Sequence, residues 1–450
     1  MSQARTLAVK LLSQIQSGDR TLDQLLTQAD EELQWLNRAD RALVHAIIYG
    51  VLRWQARLDW VIDQFAARPG KKIDPLVRII LHTGIFQIQH LDRIPVSAAV
   101  NTSVELAKKN KRKWAAGFVN GVLRQVAKQG QNITWPDRHR NPAAYLSAYY
   151  AFPEWMVSRW LDRFGMTMTE KLCSRINTIP SITLRTNTLR VTRQDLVDGI
   201  QNEVKTLTNT IHSPVGISFS SLRRPFPQWP AFQKGWFQVQ NEAAQCIAYL
   251  LSPNPGHHVW DACAGLGTKS AHLAQLMGNK GRILATDSIQ TKLDALDAEM
   301  KRLGITIVET CQRDLSAPAK TMSVGKYDRI LVDAPCTGLG VLQKNPDGKW
   351  RTNADDIQSN ARRQMMLLDH VALYLKPQGL LVYAVCSFEP EENEDVIHAF
   401  LQKHPEFAID QPRLEHVQKG ARLLTPEGFL RTFPHQHQMD GFFAAAIKKR

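Results

Sequence analysis

Two cysteines stand where short apolar runs end. Residues 331–340 read LVDAPCTGLG and residues 382–394 read VYAVCSFEPEENE, which places Cys336 just after Asp333-Ala-Pro and Cys386 just after Val385. A thiolate is a strong nucleophile, and one chemistry uses it beside a carboxyl group. Carbon 5 of a pyrimidine is not nucleophilic. Addition of a thiolate to carbon 6 turns it into an enamine carbon that can attack a methylsulfonium. A carboxyl near N3 stabilises the adduct, a base then takes the C5 proton, and the thiol is eliminated. A methyl acceptor on an adenine amine would instead call for an Asn/Asp-Pro-Pro-aromatic turn, and no aromatic follows Asp333-Ala-Pro here. Cys173, Cys246 and Cys311 lack such a position and are expected to pack as small apolar residues.

Cysteines at strand ends need strands to hold them. HHVWDAC, RILATD, ITIVET, YDRILVD and GLLVYAVC are short apolar runs, separated by helical patterns such as TKLDALDAEMKRL. Strands alternating with helices predict an α/β, doubly wound parallel sheet, and DGFFAAAIKK reads as its last strand. Ligands of such sheets bind beyond the carboxyl ends of the strands. The first run ends Asp261-Ala-Cys263-Ala264-Gly265-Leu266-Gly267-Thr268-Lys269, where two glycines allow close approach of a ligand. Ser270 replaces the third glycine of a dinucleotide loop, and no Gly-Lys-Ser/Thr of a phosphate loop is present. Asp287, about 20 residues on, is placed to accept ribose hydroxyls. Asp314 is placed to meet an adenine amino group, and Asp333 completes the row of strand-end carboxylates. Together they suit a nucleoside without a pyrophosphate, such as S-adenosylmethionine.

The regions before this sheet differ in pattern and charge. Residues 1–130 read as helices throughout; Phe118, Val119, Val122, Leu123 and Val126 share one face, and Asp74-Pro75 reads as a helix start. Residues 131–144 are polar, contain two prolines and read as a linker. Residues 145–236 mix helical and extended pattern and suggest a small α+β subdomain facing RNA, with Arg185, Arg190 and Arg193 near the strand SITLRTNTLRV. Residues 237–450 form the catalytic region. Net charge is +14, divided as +8 over residues 1–128, +5 over 129–255 and +1 over 256–450. That asymmetry points to a polyanion gripped by the first two regions and presented to a nearly neutral third. KKNKRK at residues 108–113 is the densest basic run. With no CxxC pair, neither a zinc site nor a disulfide scaffold is indicated, and reduced thiols in a cytoplasmic protein are expected. No apolar run suits a membrane span or a signal peptide.

These blocks resemble the RsmB (Sun/Fmu) family of 16S rRNA cytosine-5 methyltransferases over almost the whole chain. DACAGLGTK resembles the family's methyl-donor loop, DAPCTGLG with NPDGKW its DAPCS…HPDIKW block, VYAVCSFEPEENE its YATCSVLPEEN block, and MDGFFAAAIKK its GDGFFYAKLIKK ending. The resemblance implies a class I S-adenosylmethionine-dependent methyltransferase fold. It also implies an amino-terminal domain like the RNA-binding antitermination factor NusB. It makes Cys386 the nucleophile, gives Cys336 the release of product and sets Asp333 against the cytosine N3 side. Cys263 to Lys269, with Asp287 and Asp314, would hold S-adenosylmethionine. The expected substrate is 16S rRNA at cytosine 967 and the expected state a monomer without metal. Alternatives are the same chemistry on tRNA or another rRNA cytosine, or an RNA-binding assembly factor without catalysis; the presence of both cysteines argues against the last. Leu266, Thr268, Asn241, Asn345, Gly348 and Val385 depart from the family's residues.

Overall fold

The structure is a computed structural model and describes residues 3–18, 20–66, 72–130, 132–315, 326–411 and 414–450; Gln131, where the expected linker begins, lies outside these. The chain divides into two compact units, Met1–Thr178 with Lys344–Thr352, and Ile179–Gln343 with Asn353–Arg450. Among the described residues no helix is long and apolar enough to cross a membrane.

The first unit is helical. Its longest helix, Arg38–Phe65, begins where the Asn37 side chain accepts a hydrogen bond from the Asp40 amide. Asp74 starts the helix Pro75–His90 in the same way, accepting from the amides of Leu76 and Val77 at 3.0 and 3.2 Å. Proline fits in that first turn because its missing N–H would have no helical partner. On the helix Ala116–Gln129, Val119, Val122, Leu123 and Val126 are buried along the face that the 3.6-residue period marks. The segment Lys344–Thr352 packs into this unit. The buried Lys349 ammonium donates to the carbonyls of Arg53 and Ala151, both at 3.1 Å, and to Asn177 Oδ1 at 2.7 Å. The Trp350 indole donates to the Leu52 carbonyl at 2.6 Å.

The second unit holds two main sheets. Six short strands come first: β1 (Ile182–Thr186), β2 (Val204–Lys205), β3 (Thr208–Asn209), β4 (Gly216–Phe219), β5 (Ser221–Leu222) and β6 (Phe237–Val239). They form an antiparallel sheet ordered β3-β4-β1-β6 and a separate β2-β5 pair. Arg185 on β1 does not face a partner in solution. It is fully buried and donates to Gln238, Gln240 and Gln275 and to the Thr268 carbonyl. A buried guanidinium needs acceptors for its N–H groups, and three glutamines with the Thr268 carbonyl accept four hydrogen bonds from it.

The large sheet carries β7 (His258–Asp261), β8 (Arg282–Asp287), β9 (Val308–Gln312), β10 (Tyr327–Asp333), β11 (Leu375–Val385), β12 (Phe407–Ile409), β13 (Leu430–Thr432) and β14 (Phe442–Lys449). Its order is β12-β14-β11-β10-β7-β8-β9, with β13 paired to β14. The five strands β7 to β11 are parallel and β14 is antiparallel to β11. The doubly wound expectation holds, with an antiparallel edge added. β9 starts later than the run ITIVET suggests, because Ile305 is spent on the core before pairing begins at Val308. Chain order reverses between β7 and β10, so the ends of those two strands flank the switch-point crevice.

Candidate active site

β10 and β11 are parallel neighbours with Asp333 opposite Ala384, so the residues just past each strand enter the same crevice. There Cys336 Sγ and Cys386 Sγ lie 3.3 Å apart, both thiols free and half-buried. The two loops are fastened by backbone. Gly340 N–H donates to the Cys386 carbonyl and Gly441 N–H to the Gly340 carbonyl, each at 2.9 Å. A Cβ on Gly340 would stand 1.9 Å from the Gly441 carbonyl oxygen, so only glycine permits this approach. Cys173 and Cys246 are buried as expected, whereas Cys311 at the end of β9 is half-exposed.

Asp333 closes the other side of the crevice. Its carboxylate accepts from the Lys269 ammonium at 2.5 Å, and the lysine side chain is 9 % exposed. Burial disfavours that ammonium, but Asp333 and, beyond it, Cys386 favour it more strongly, and the Lys269 pKa is raised. The Cys336 thiol is held well up, first by its hydrogen bond with Cys386, then by burial, then by the charges of Cys386 and Glu392.

The glycine loop Cys263 to Lys269 follows β7. Gly265 and Gly267 have φ of +55° and +75°, conformations open to glycine at little cost. A Cβ on Gly267 would press 2.4 Å from Leu296 Cγ, while the space beside Gly265 is open and Leu266 is exposed. Ala264 N–H is held by the Thr286 carbonyl and the Thr268 carbonyl by Arg185. Asp287 accepts from the amides of Gly265 and Ile289 at 3.1 and 2.9 Å. A carboxylate offers about four acceptor sites, so two remain for a pair of hydroxyls. Open space at Gly265 and spare acceptor capacity at Asp287 fit a ribose. Asp314 lies two residues past β9 and is exposed. Cys263 is half-buried, and burial with the charges of Asp261, Asp333 and Asp287 pushes its thiol up.

Two side chains stand out that their residue types alone do not mark. Glu392 is buried and reaches both cysteine loops. It accepts from Thr337 N–H at 2.8 Å and Thr337 O–H at 2.5 Å, and from Ser387 O–H at 2.6 Å. Its place in the PEEN run beside Cys386 was the available signal. Trp114, directly after the basic run of the helical unit, is 71 % exposed, and an exposed aromatic beside lysines is the usual mark of a stacking surface. Two departures from the family pattern have simple places. Asn241 caps the helix Glu242–Leu251 through Ala243 N–H, which an amide oxygen does as well as a carboxylate. Val385 is fully buried, where an apolar side chain has no hydroxyl to satisfy.

Three family descriptions match the chain in succession. The NusB family matches residues 2–128, the ferredoxin-like domain of RsmF/B-like methyltransferases residues 152–223, and 16S rRNA methyltransferase RsmB/F residues 248–448. A probable ribosomal RNA small subunit methyltransferase B of Synechocystis sp. is 36 % identical, with both chains covered completely. The chain belongs to the RsmB/F family of 16S rRNA methyltransferases. A second relative in this family, from Bacillus subtilis and also described as probable, is 34 % identical over 100 % of this chain and 99 % of its own. Among solved structures, that of PH0851 superposes with a TM-score of 0.81 at 26 % identity over 99 % of each chain. A methyltransferase homolog protein from Pyrococcus horikoshii gives 0.57 at 27 % identity, covering 68 % of this chain and 97 % of its own.

Proposed function

We propose that the chain transfers a methyl group from S-adenosylmethionine to carbon 5 of a cytosine in 16S rRNA, at the position the family resemblance names, cytosine 967. The observation that carries the reading is the 3.3 Å approach of Cys336 and Cys386 beside Asp333 at the switch point. A nucleoside is held by carboxylates at strand ends, and those present are Asp287, Asp314 and Asp333, with the loop Cys263 to Lys269. Bound there, S-adenosylmethionine supplies an electrophilic methyl group.

The chain's own residues do the rest. Cys386 adds as thiolate to carbon 6 of the cytosine and makes carbon 5 nucleophilic. Asp333, kept in place by Lys269, meets the N3 side of the ring, where charge builds up in the adduct. Once carbon 5 carries the methyl group, loss of its proton lets the carbon–sulfur bond break, and Cys336 serves this release. The helical unit and the small sheet grip RNA, supported by their positive charge and by exposed Trp114.

The test is to map 5-methylcytosine in 16S rRNA from cells with and without this protein. The reading predicts loss of one methylated cytosine, restored by the wild-type chain and not by Cys386→Ala. An unchanged rRNA map with a lost tRNA mark would move the same chemistry to tRNA.

A further inference from the structure

The helical unit holds a cleft of about 650 Å³, a size that suits a small flat ligand with its substituents. Its walls come from the first unit alone, chiefly the end of the helix Gln3–Gln16, the middle of the helix Arg38–Phe65 and the packed segment Lys344–Thr352. Buried Leu52 and half-buried Trp350 give it an apolar side. The Trp350 indole N–H is spent on the Leu52 carbonyl at 2.6 Å, which pins the ring and leaves its apolar surface as what it can offer. Ser13, Gln16 and Gln55 add a hydroxyl and two amides, and among the described residues none of the three has a side-chain hydrogen-bond partner. Arg351 also lines the cleft and is exposed. It reaches the Asp347 carboxylate only at 3.6 Å, beyond hydrogen-bond distance, so its N–H groups remain available to an anion. That carboxylate is committed elsewhere, accepting from Leu22 N–H at 3.2 Å.

The ligand such a cleft takes has a flat apolar body, an edge that both donates and accepts, and a negative group. An apolar peptide side chain would leave the amides and the guanidinium without partners. A nucleobase with its phosphate meets all three demands. Each glutamine amide offers a donor and an acceptor, so the pair can serve the edge of any base. A base inside a duplex is stacked on both faces and its pairing edge is taken, so only an unpaired nucleotide can enter. We propose that this cleft binds one unpaired nucleotide of the RNA substrate, with its base against Trp350 and the Gln16 and Gln55 amides and its phosphate at Arg351. The proposal rests on the reading that this chain binds RNA, and adds a place where single-stranded RNA is told from duplex. It is separate in sequence from the basic run 108–113 and from Trp114, which supply phosphate contact and stacking without reading an edge.

The experiment uses the full-length protein and a single-stranded fragment of 16S rRNA carrying 4-thiouridine. Ultraviolet crosslinking, read peptide by peptide by mass spectrometry, should mark the peptide that holds Trp350. The same fragment annealed to its complement should not mark it. Two variants change the cleft and leave the basic run alone. Gln55→Leu removes an amide, and Ser13→Leu fills space from an exposed helix position, where the fold tolerates it. Each should weaken binding of the single strand at least about fivefold with the salt dependence unchanged, as for a lost base contact. Arg351→Gln should instead reduce the slope of log K against log salt by about 0.7, the share of one phosphate on a single strand. Equal marking by single strand and duplex overturns the proposal, and so does unchanged affinity in both leucine variants. Loss of the crosslink to uridine monophosphate at the same nucleotide concentration would make the cleft a site for free nucleotides and overturn the RNA assignment. The assay needs no methylation. A wild type that grips the single strand without marking the Trp350 peptide sinks this proposal alone, whereas one that binds no RNA sinks the proposed function with it.

Discussion

The Lys269 ammonium and the Asp333 carboxylate form a 2.5 Å ion pair across the switch-point crevice, one from the glycine loop after β7 and one from the end of β10. The pair joins the part of the site that suits the methyl donor to the part that suits the base. It also gives the buried Lys269 ammonium a partner of opposite charge.

Removing Asp333 strands this ammonium. Asp333→Ala should cost ~1.5–3 kcal/mol, the scale of a hydrogen bond to a charged group. The raised Lys269 pKa means that the pair contributes fully below the lysine's ordinary value and is lost only as pH rises through the higher folded value. The thermal midpoint of the variant should thus lie below that of the wild type throughout neutral pH, and the two should converge in strongly alkaline buffer. Equal midpoints at neutral pH would show that the pair contributes nothing to stability.

Asp261 titrates in the opposite sense of usefulness. It is fully buried beside the Ser270 hydroxyl at 2.6 Å, and burial lifts its carboxyl to about 7. In the unfolded chain the group titrates near ~3.9. The folded state keeps a proton that the unfolded state has lost, so this contribution is present below the unfolded value and disappears as pH rises through about 7. Thermal melts of the wild type should fall from about pH 4 to about pH 7 and level off above, and those of Asp261→Asn should fall less. Parallel curves would remove Asp261 as the cause.

The donor site has its own readout. Asp287→Ala should weaken S-adenosylmethionine binding by ~1.5–3 kcal/mol, because a charge-assisted hydrogen bond to the ribose is removed. The variant also frees the Gly265 and Ile289 amides, so the loop gives up its shape as well as an acceptor for the ligand. Calorimetry on a folded variant with unchanged affinity would take Asp287 out of the site.

RNA binding should depend on the basic run. Lys108 pairs with Glu105 and Arg112 with Asp74, which leaves Lys109, Lys111 and Lys113 as the exposed cations of the run to test. Changing these three to Gln should reduce the slope of log K against log salt by roughly 0.7–0.9 for each phosphate that is no longer neutralised. Trp114→Ala should weaken binding by ~1–3 kcal/mol with little change in slope, as expected for a stacked base. An unchanged slope in the triple variant would show that the phosphates are held elsewhere.

The strand ends were legible because apolar runs, glycines and carboxylates recur locally, and the parallel sheet follows from their alternation with helices. Partners brought together across the fold were not. Arg185 reads as a surface cation until Gln238, Gln240 and Gln275 surround it, and Gln275 comes from a helix 90 residues away. Lys349 and Trp350 carry no local sign that they pack among helices of the first unit. Glu392 looks like one acid among several in EPEENE. Its distinction is a partner 55 residues distant, Thr337, which no local pattern records.

The thiols give the sharpest test of mechanism. If Cys386 attacks carbon 6 and Cys336 serves release, their substitutions fail differently. Cys386→Ala removes the nucleophile, so neither methyl transfer nor covalent RNA should form. Cys336→Ala leaves attack and methylation possible and stalls elimination. It should therefore accumulate a denaturant-resistant protein–RNA adduct that carries the methyl group. In the double variant the adduct should vanish, because the first bond is never made. Denaturing gels with methyl-labelled donor read all three. The 3.3 Å separation of the sulfurs means that either could reach the same ring carbon, so geometry alone does not decide between them. An adduct in Cys386→Ala with none in Cys336→Ala would reverse the assignment, and the thiol after Asp333-Ala-Pro would be the nucleophile.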